Sequence, residues 1–331
     1  MPDDKPSEGE STLTVVLALC VNLAIAVLKA IAGVLTGSAA MLSEAGHSVA
    51  DTFTELFLLT ALRRSARPAD RKHPFGYGKE RYFWSLLAAV SIFASGALFA
   101  FVEGVRTLIS GEQEGSGDTW VNYAVLGLAF LLEGTSWWRA VRQVRGESAA
   151  EGGGFWRYLR YMDDPAPKTV LFEDSAALIG LLLAFAGTGL HQITGSSAWD
   201  GIASLLIGVL LALVAYALGY SNRGLLIGRQ ADPKLWQAIR ARLAMAPEVE
   251  AVVDVLTMLT GADQLLLCAR LDFDDKLGAH DLELASVRLH SELHEEFPEL
   301  DEIFLEPIPR TDPRLRERVL ARYGRLLNDQ Q

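Results

Sequence analysis

Six apolar stretches, each long enough to cross a lipid bilayer, set the first constraint on what this chain can fold into. A helix needs roughly 20 mostly apolar residues to span about 30 Å of hydrocarbon. Such stretches fall at about 13–35, 39–62, 82–105, 119–139, 169–192 and 198–220. Half of all residues are hydrophobic, and they concentrate before about residue 221. Several stretches also hold acidic residues, so they are more than greasy anchors. The N-terminal MPDDKPSEGES is acidic and polar, without the basic start and small-residue cleavage site of a secretory signal. The first stretch is therefore expected to stay in place as a membrane helix.

The loops predict an orientation. The loop after the second stretch carries Arg63, Arg64, Arg67, Arg71, Lys72, Lys79 and Arg81, and the loop after the fourth carries Arg139, Arg142, Arg145, Arg157, Arg160 and Lys168. The opposite loops hold little Lys or Arg beyond Arg106. Basic loops stay on the cytoplasmic side. Both termini are thus expected in the cytoplasm, in a multi-pass protein of the cell (inner) membrane. Trp120, Trp137 and Trp138 fit interfacial anchors.

From residue 229 the sequence reads as soluble protein. Asp232-Pro233 is an N-cap and N1 pair that starts a helix. Val249–Thr260 and Gln264–Phe273 read as strands, separated by Gly261-Ala262-Asp263. A helix over about 279–297 ends before Pro298, and Ile303-Phe304-Leu305 is a short last strand. The expected fold is a membrane all-α protein of six transmembrane helices, followed by a cytoplasmic α+β domain of αββαβ order, ferredoxin-like. The expected boundaries are an N-terminal cytoplasmic segment over 1–12, the helical domain over 13–222, the α+β domain over 229–310 and a tail over 311–331. The tail reads as a basic helix or a loose end.

Composition excludes some functions. The net charge of −11 argues against a nucleic-acid partner, which would need a clustered basic surface. Two cysteines, Cys20 and Cys268, imply no disulfide framework. Neither a Gly-x-Ser-x-Gly nor a His-Glu-x-x-His motif is present, so a hydrolase reading lacks its constellation and no enzyme is expected. The acidic residues of the soluble part, among them Asp272, Asp274, Asp275, Asp281 and Glu283, could gather cations by their field or simply be a solvated surface.

Chemistry is suggested inside the membrane. The second stretch reads Ser43-Glu44-Ala45-Gly46-His47-Ser48-Val49-Ala50-Asp51. Ionisable side chains in a bilayer are expensive and normally face the bundle interior. His47 and Asp51 are four apart and share one helix face. Imidazole and carboxylate at that spacing suit half a zinc site, or equally a hydrogen-bonded core pair. The fifth stretch supplies Glu173 and Asp174, adjacent carboxylates pointing roughly 100° apart on a helix. A divalent cation between Asp174 and the His47/Asp51 pair would neutralise most of this charge. Such binding releases protons, because zinc requires neutral imidazole and ionised carboxylate.

The sequence here resembles the cation diffusion facilitators, also called the zinc transporter family. The resemblance rests on Leu35-Thr36-Gly37-Ser38, on Leu42 to Asp51, on Pro68-Ala69-Asp70-Arg71-Lys72-His73-Pro74-Phe75-Gly76-Tyr77-Gly78-Lys79, on Asp200-Gly201-Ile202-Ala203-Ser204 and on the αββαβ tail. It implies a homodimer that exchanges a metal ion, zinc here, for protons by alternating access, with no cofactor beyond the transported Zn2+ and H+. It also implies a four-ligand site shared by the second and fifth spans. His47, Asp51 and Asp174 match three of those ligands; the fourth falls on Val170, which cannot bind metal, and its place is left to Glu173, to water or to another span. The Glu-Asp pair marks a branch of the family and leaves manganese, iron or cobalt as alternative cargo. A membrane metal sensor or scaffold that binds without transporting is the other alternative.

The resemblance implies a further loop site of one Asp and two His. Asp70 and His73 match, but Tyr77 stands where the second His would be. That leaves a weakened metal site or a solvated loop. His290 and His294, four apart, as well as His280 and Cys268, read as surface residues. Lys29 and Glu103 lie near span ends and are expected to snorkel or pair; Asn22, Glu133 and Asp200 are expected to be structural.

Overall fold

The computed structural model describes residues 8–37, 39–110, 119–150, 154–162 and 164–324, with side chains described from Asn22 onward. The expected segment 1–12 lies mostly outside this range, as do the side chains of Cys20 and Trp120. The chain divides into two compact units: a helical one, up to Arg67 and over Glu80–Arg223, and a second comprising Pro68–Lys79 and the chain from Gly224 on.

In the helical unit α1 (Glu8–Thr36) is followed by α2 (Ala39–Ser65). Gly37 at the turn has φ +71°, a left-handed conformation that glycine adopts without Cβ strain. Next, α3 (Glu80–Ser91), a π-helical turn (Ile92–Ala97) and α4 (Leu98–Ser110) form one continuous rod. Then come α5 (Thr119–Ala150), the short α6 (Phe155–Tyr161), α7 (Pro165–Thr194) and α8 (Ala198–Ile227). At the start of α7 the Asp164 carboxylate accepts a hydrogen bond from the Ala166 backbone N–H at 3.0 Å, with Pro165 in the first turn.

Among the described residues, three rods are long and apolar enough by composition to cross a membrane: Glu80–Ser110, Pro165–Thr194 and Ala198–Ile227. α2 is interrupted by Glu44, His47, Asp51 and Glu55, the very groups that later define the site. Small residues fill the packed interior: Ala32, Ala89, Ala97, Ala100, Ala129, Ala176, Ala184 and Ala203 pack with Met41, Ile92, Leu181, Ile207 and Leu211. Alanine at these contacts lets helix backbones approach closely, as expected where lipid removes the hydrophobic drive between helices. The outside is apolar instead: Val34, Leu98, Val102, Ile109, Leu213 and Tyr216 are exposed. That inverted pattern suits a hydrocarbon solvent, not water.

The second unit has α9 (Pro233–Ala244), β1 (Val249–Gly261), β2 (Gln264–Phe273), α10 (Ala279–Glu296), β3 (Leu300–Pro307) and α11 (Pro313–Tyr323). The sheet order is β1-β2-β3; β1 and β2 run antiparallel, β2 and β3 parallel. Asp263 takes positive φ in the hairpin turn. Every second residue of β2, from Leu265 to Phe273, is buried, the period of a half-covered strand. β1 is buried at most positions, so both its faces are covered.

The αββαβ order matches expectation, and of the two readings for the end of the chain, a basic helix or a loose end, the described residues show the helix. Helix α11 presses Leu315 and Val319 against Val253, with Trp236 and Tyr323 alongside. The Tyr323 hydroxyl and the Trp236 indole N–H both donate to the Val255 carbonyl, at 3.0 and 3.1 Å. Asp254, fully buried, accepts from Arg270 at 3.1 Å and from Arg322 at 2.8 Å, tying α11 to the hairpin. Many acidic residues of this unit are spoken for. Asp272 pairs with Arg310, Glu248 with Arg288, and Asp281 accepts from the Gly278 backbone N–H.

The loop Pro68–Lys79 groups with this second unit. A Cβ on Gly78 would collide with the Thr260 carbonyl and the Gly261 Cα, so only glycine permits that approach to the hairpin. Lys79 Nζ lies 3.7 Å from Met258 Sδ.

Truncating Asp254 leaves two guanidiniums without their shared acceptor. Asp254→Ala should lower the stability of the second unit by about 2–3 kcal/mol. Hydrogen exchange on the full-length protein should show the loss as faster amide exchange over β1 and β2.

Candidate metal site

On α2, His47, Asp51 and Glu55 recur every fourth residue and so form a ladder on one face, turned away from the lipid. His47 is fully buried, with Nδ1 3.3 Å from Asp51 Oδ1. That distance is long for a good hydrogen bond, and both His47 ring nitrogens lack a partner among the described residues. Across from Asp51 stands Glu173 of α7: the two carboxyls lie within hydrogen-bonding reach of each other, and Thr54 faces Glu173. Glu173 is buried, and its Oε1 is unpartnered among the described residues.

Asp174 points to a different set of neighbours, as the roughly 100° step along a helix requires. Its surroundings are Ser136 of α5, Glu133 and Glu55. Glu55 in turn accepts a hydrogen bond from Asn22 Nδ2 at 2.7 Å. Asp51 therefore adjoins His47 on its own helix and Glu173 across on α7, while Asp174 is a neighbour of Glu55 on the next rung. Val170 packs against the apolar cluster of Ala140, Val144, Leu159 and Leu171.

Among the described residues no three His, Cys, Asp or Glu side chains form a finished coordination cage. What the structure holds instead is a set of buried, unsatisfied atoms: both His47 nitrogens, Asp51 Oδ1, Glu55 Oε2, Glu173 Oε1 and Asp174 Oδ2. An unpaired buried polar atom costs roughly 1–3 kcal/mol, and more when charged. Hydrocarbon offers no water to relieve it. A divalent cation would take one His47 nitrogen together with neighbouring carboxylate oxygens, and such a mixed nitrogen and oxygen donor set suits zinc.

The π-helical turn Ile92–Ala97 lies against this ladder. A Cβ on Gly96 would stand 3.6 Å from Ala50 Cβ and 4.0 Å from His47 Cα. Gly96 thus brings the third rod to the backbone at His47. π-turns often mark functional positions in a helix.

Next to the ladder sits a second cluster of charges. Lys29, placed by its sequence near a span end and expected to snorkel or pair, is fully buried and pairs. Its ammonium donates to Glu44 Oε2 at 3.2 Å, Ser48 Oγ at 2.9 Å and Glu133 Oε1 at 2.9 Å. Glu44 is fully buried too, and its other oxygen abuts Gly180 of α7, where any side chain would clash. Removing one member of such a pair typically costs about 3–5 kcal/mol, because a lone charge is left in a dry site.

The loop residues are used locally. Asp70 Oδ1 accepts from the backbone N–H groups of Lys72 and His73 at 2.9 and 2.7 Å, and Oδ2 accepts from the Tyr77 hydroxyl at 2.8 Å. These donors, the His73 amide foremost, hold the Asp70 carboxyl below its ordinary range. His73 stacks on Tyr77 with ring centroids 4.3 Å apart. The tyrosine at the second-histidine position thus completes a turn, and both Asp70 oxygens are engaged. On α10, His290 and His294 are exposed, and His294 Nδ1 lies 2.8 Å from the Leu300 carbonyl. At the far ends of α7 and α8, His191 Nδ1 meets Asp200 Oδ2 at 2.9 Å. Trp137 also departs from expectation. It turns inward, its indole N–H donating to Ser175 Oγ at 3.0 Å, while Trp138 stays exposed.

Of this region the sequence reading left out Glu55, and it named Asn22 and Lys29 without their partners. Glu55 continues the His47/Asp51 spacing by four, so its place was readable. The Asn22 contact and the Lys29 cluster depend on which helices pack together, which spacing does not reveal.

The family description "cation efflux transmembrane domain" matches residues 15–227. The proton-coupled zinc antiporter SLC30A9, mitochondrial, of Xenopus laevis is 36% identical over 263 residues, covering 80% of this chain and 47% of that protein. Metal tolerance protein C4 of Arabidopsis thaliana is 32% identical over 271 residues, covering 82% and 59%. The cation-efflux pump FieF of Serratia proteamaculans is 28% identical over 278 residues, covering 83% and 85%. The chain spans about half the length of the vertebrate relatives it matches.

The geometry predicts an order of effects within the Glu-Asp pair. Because Glu173 meets Asp51 while Asp174 sits with Glu55, Glu173→Gln should weaken zinc binding by about 10–100-fold, and Asp174→Asn by less. Calorimetric titration of the purified protein with zinc reads both.

Proposed function

The chain belongs to the cation efflux family, and from that premise we propose that it exports a divalent transition metal, zinc, from the cytoplasm in exchange for protons. The buried, unsatisfied set on α2 and α7 carries this reading: in a membrane such a set is stable only with cations or protons to fill it. The names of the relatives, a proton-coupled zinc antiporter and a cation-efflux pump, support it.

The reading takes α1, α2, the α3–α4 rod, α5, α7 and α8 as six spans. The basic loops after α2 and around α6 support a reading in which both termini lie on the cytoplasmic side of the cell membrane. The second unit then lies in the cytoplasm and pairs with a second copy of the chain. In this frame Glu55 and Asp174 lie on the cytoplasmic side of His47 and Asp51. The ion enters past the Glu55/Asp174 rung and comes to rest on His47, Asp51 and Glu173, with Asp174 as the adjoining carboxylate.

Coupling follows from shared sites. Metal needs the carboxylates ionised and His47 neutral; protons need the same lone pairs. The two cargoes displace one another, so a proton load from outside empties the site and the metal refills it from inside. Alternating access then moves one cargo in each direction. A second reading, manganese export, is favoured by the oxygen-rich set, in which one imidazole faces several carboxylates.

Reconstituted in proteoliposomes, the protein should move zinc along an opposed pH gradient and lose that flux when the gradient is collapsed. Asp51→Ala should abolish transport while leaving the far-ultraviolet circular dichroism unchanged. Zinc flux indifferent to the gradient contradicts proton coupling, and faster manganese than zinc flux selects the second reading.

A further inference from the structure

The Lys29 cluster is not used by the mechanism above, yet it touches the same stretch of α2. Lys29 of α1 reaches Glu44 and Ser48 of α2 and Glu133 of α5, so one ammonium joins three helices. Ser48 directly follows His47, and Glu44 lies one turn before Ser48. Two carboxylates and a hydroxyl around a point charge form an oxygen cradle of the kind that suits a hard divalent cation. Here the cradle is filled from within. Glu44 is also fixed from behind, because its second oxygen abuts the bare Gly180 backbone of α7.

We propose that Lys29 is a specificity-determining residue: a tethered cation that occupies the Glu44/Glu133 cradle and so keeps a second, all-oxygen metal position closed beside His47. The inference rests on the transport reading above. With the cradle filled, an incoming ion meets only the set that contains an imidazole, and zinc is favoured over harder ions. With the ammonium removed, Glu44, Glu133 and Ser48 present oxygen to the same pathway, and manganese gains. A lysine performs this task where a bound metal would not, because it cannot leave.

The experiment is competitive flux of zinc and manganese in proteoliposomes, with metal stoichiometry measured on the same preparations. Wild type sets the reference ratio. Lys29→Met should raise the manganese-to-zinc ratio by about tenfold and add a bound metal ion per chain. Lys29→Arg, which keeps the charge, should hold the ratio near wild type. The charge-free Lys29→Met/Glu44→Gln/Glu133→Gln should return it there, since the cradle is then gone. Where the single variant fails to fold, Lys29→Gln/Glu44→Gln frees Glu133 alone without adding charge and should show a smaller shift in the same direction. An unchanged ratio in every lysine-free variant that retains Glu133 overturns the proposal, as does a ratio that stays raised in the triple variant. No metal flux by the wild type instead overturns the transport reading on which it rests.

Discussion

Charge buried in a lipid-facing helix bundle is the constraint on which the rest of this structure depends. Each ionisable group in such a place must be compensated by a partner within a few ångströms, or it does not stay charged. The helical unit answers this in two ways, side by side. Around Lys29 the compensation is internal: one ammonium pairs with Glu44 and Glu133, with Ser48 as a neutral neighbour, although Glu44 Oε1 and Glu133 Oε2 have no partner among the described residues. Around His47 no ammonium is at hand, and Asp51, Glu173 and their neighbours have more lone pairs than the described residues supply donors. The first cluster carries its own cation, and the second is the set proposed above to receive the cargo.

The helix packing serves this arrangement. Alanine and glycine at the contacts bring α2 close to α1, to the α3–α4 rod and to α7, so four carboxyl-bearing positions reach a common interior. The π-turn Ile92–Ala97 lies against His47 through Gly96, where a local change of helical pitch would shift the contact with α2. α2 also continues directly into the loop that groups with the second unit, where Gly78 meets the β1–β2 hairpin. The helix bearing His47 and Asp51 is thus joined, through a short segment, to the fold formed by the end of the chain.

Much of this was legible in the sequence, for physical reasons that can be named. Bilayer thickness sets a minimum length for an apolar run, so the long helices were readable from hydropathy. The αββαβ order was readable from strand alternation and turn residues, because side chains alternate faces with period two. His47 and Asp51 stood out because four-residue spacing places them on one face. What failed to show was everything decided by packing between distant segments. The position of Lys29 near a span end suggested snorkelling or pairing, and only the packing of α2 and α5 around it decides for pairing, with Glu44 and Glu133. Trp137 had an anchor's composition and instead found Ser175. The basic end of the chain hid an amphipathic helix whose Leu315 and Val319 have a waiting apolar face at Val253. Glu173 and Asp174 were readable as a pair, but the division of labour between them depends on which side of α7 faces α2.

The central claim is that His47 and carboxylates of α2 and α7 hold the transported ion inside the membrane. X-ray absorption at the zinc edge on the zinc-loaded protein tests it most directly. The account predicts a shell of one imidazole nitrogen and carboxylate oxygens without sulfur, whose imidazole scattering disappears in His47→Ala. An imidazole signature that survives His47→Ala, or a sulfur ligand, would place the ion elsewhere in the chain and contradict it.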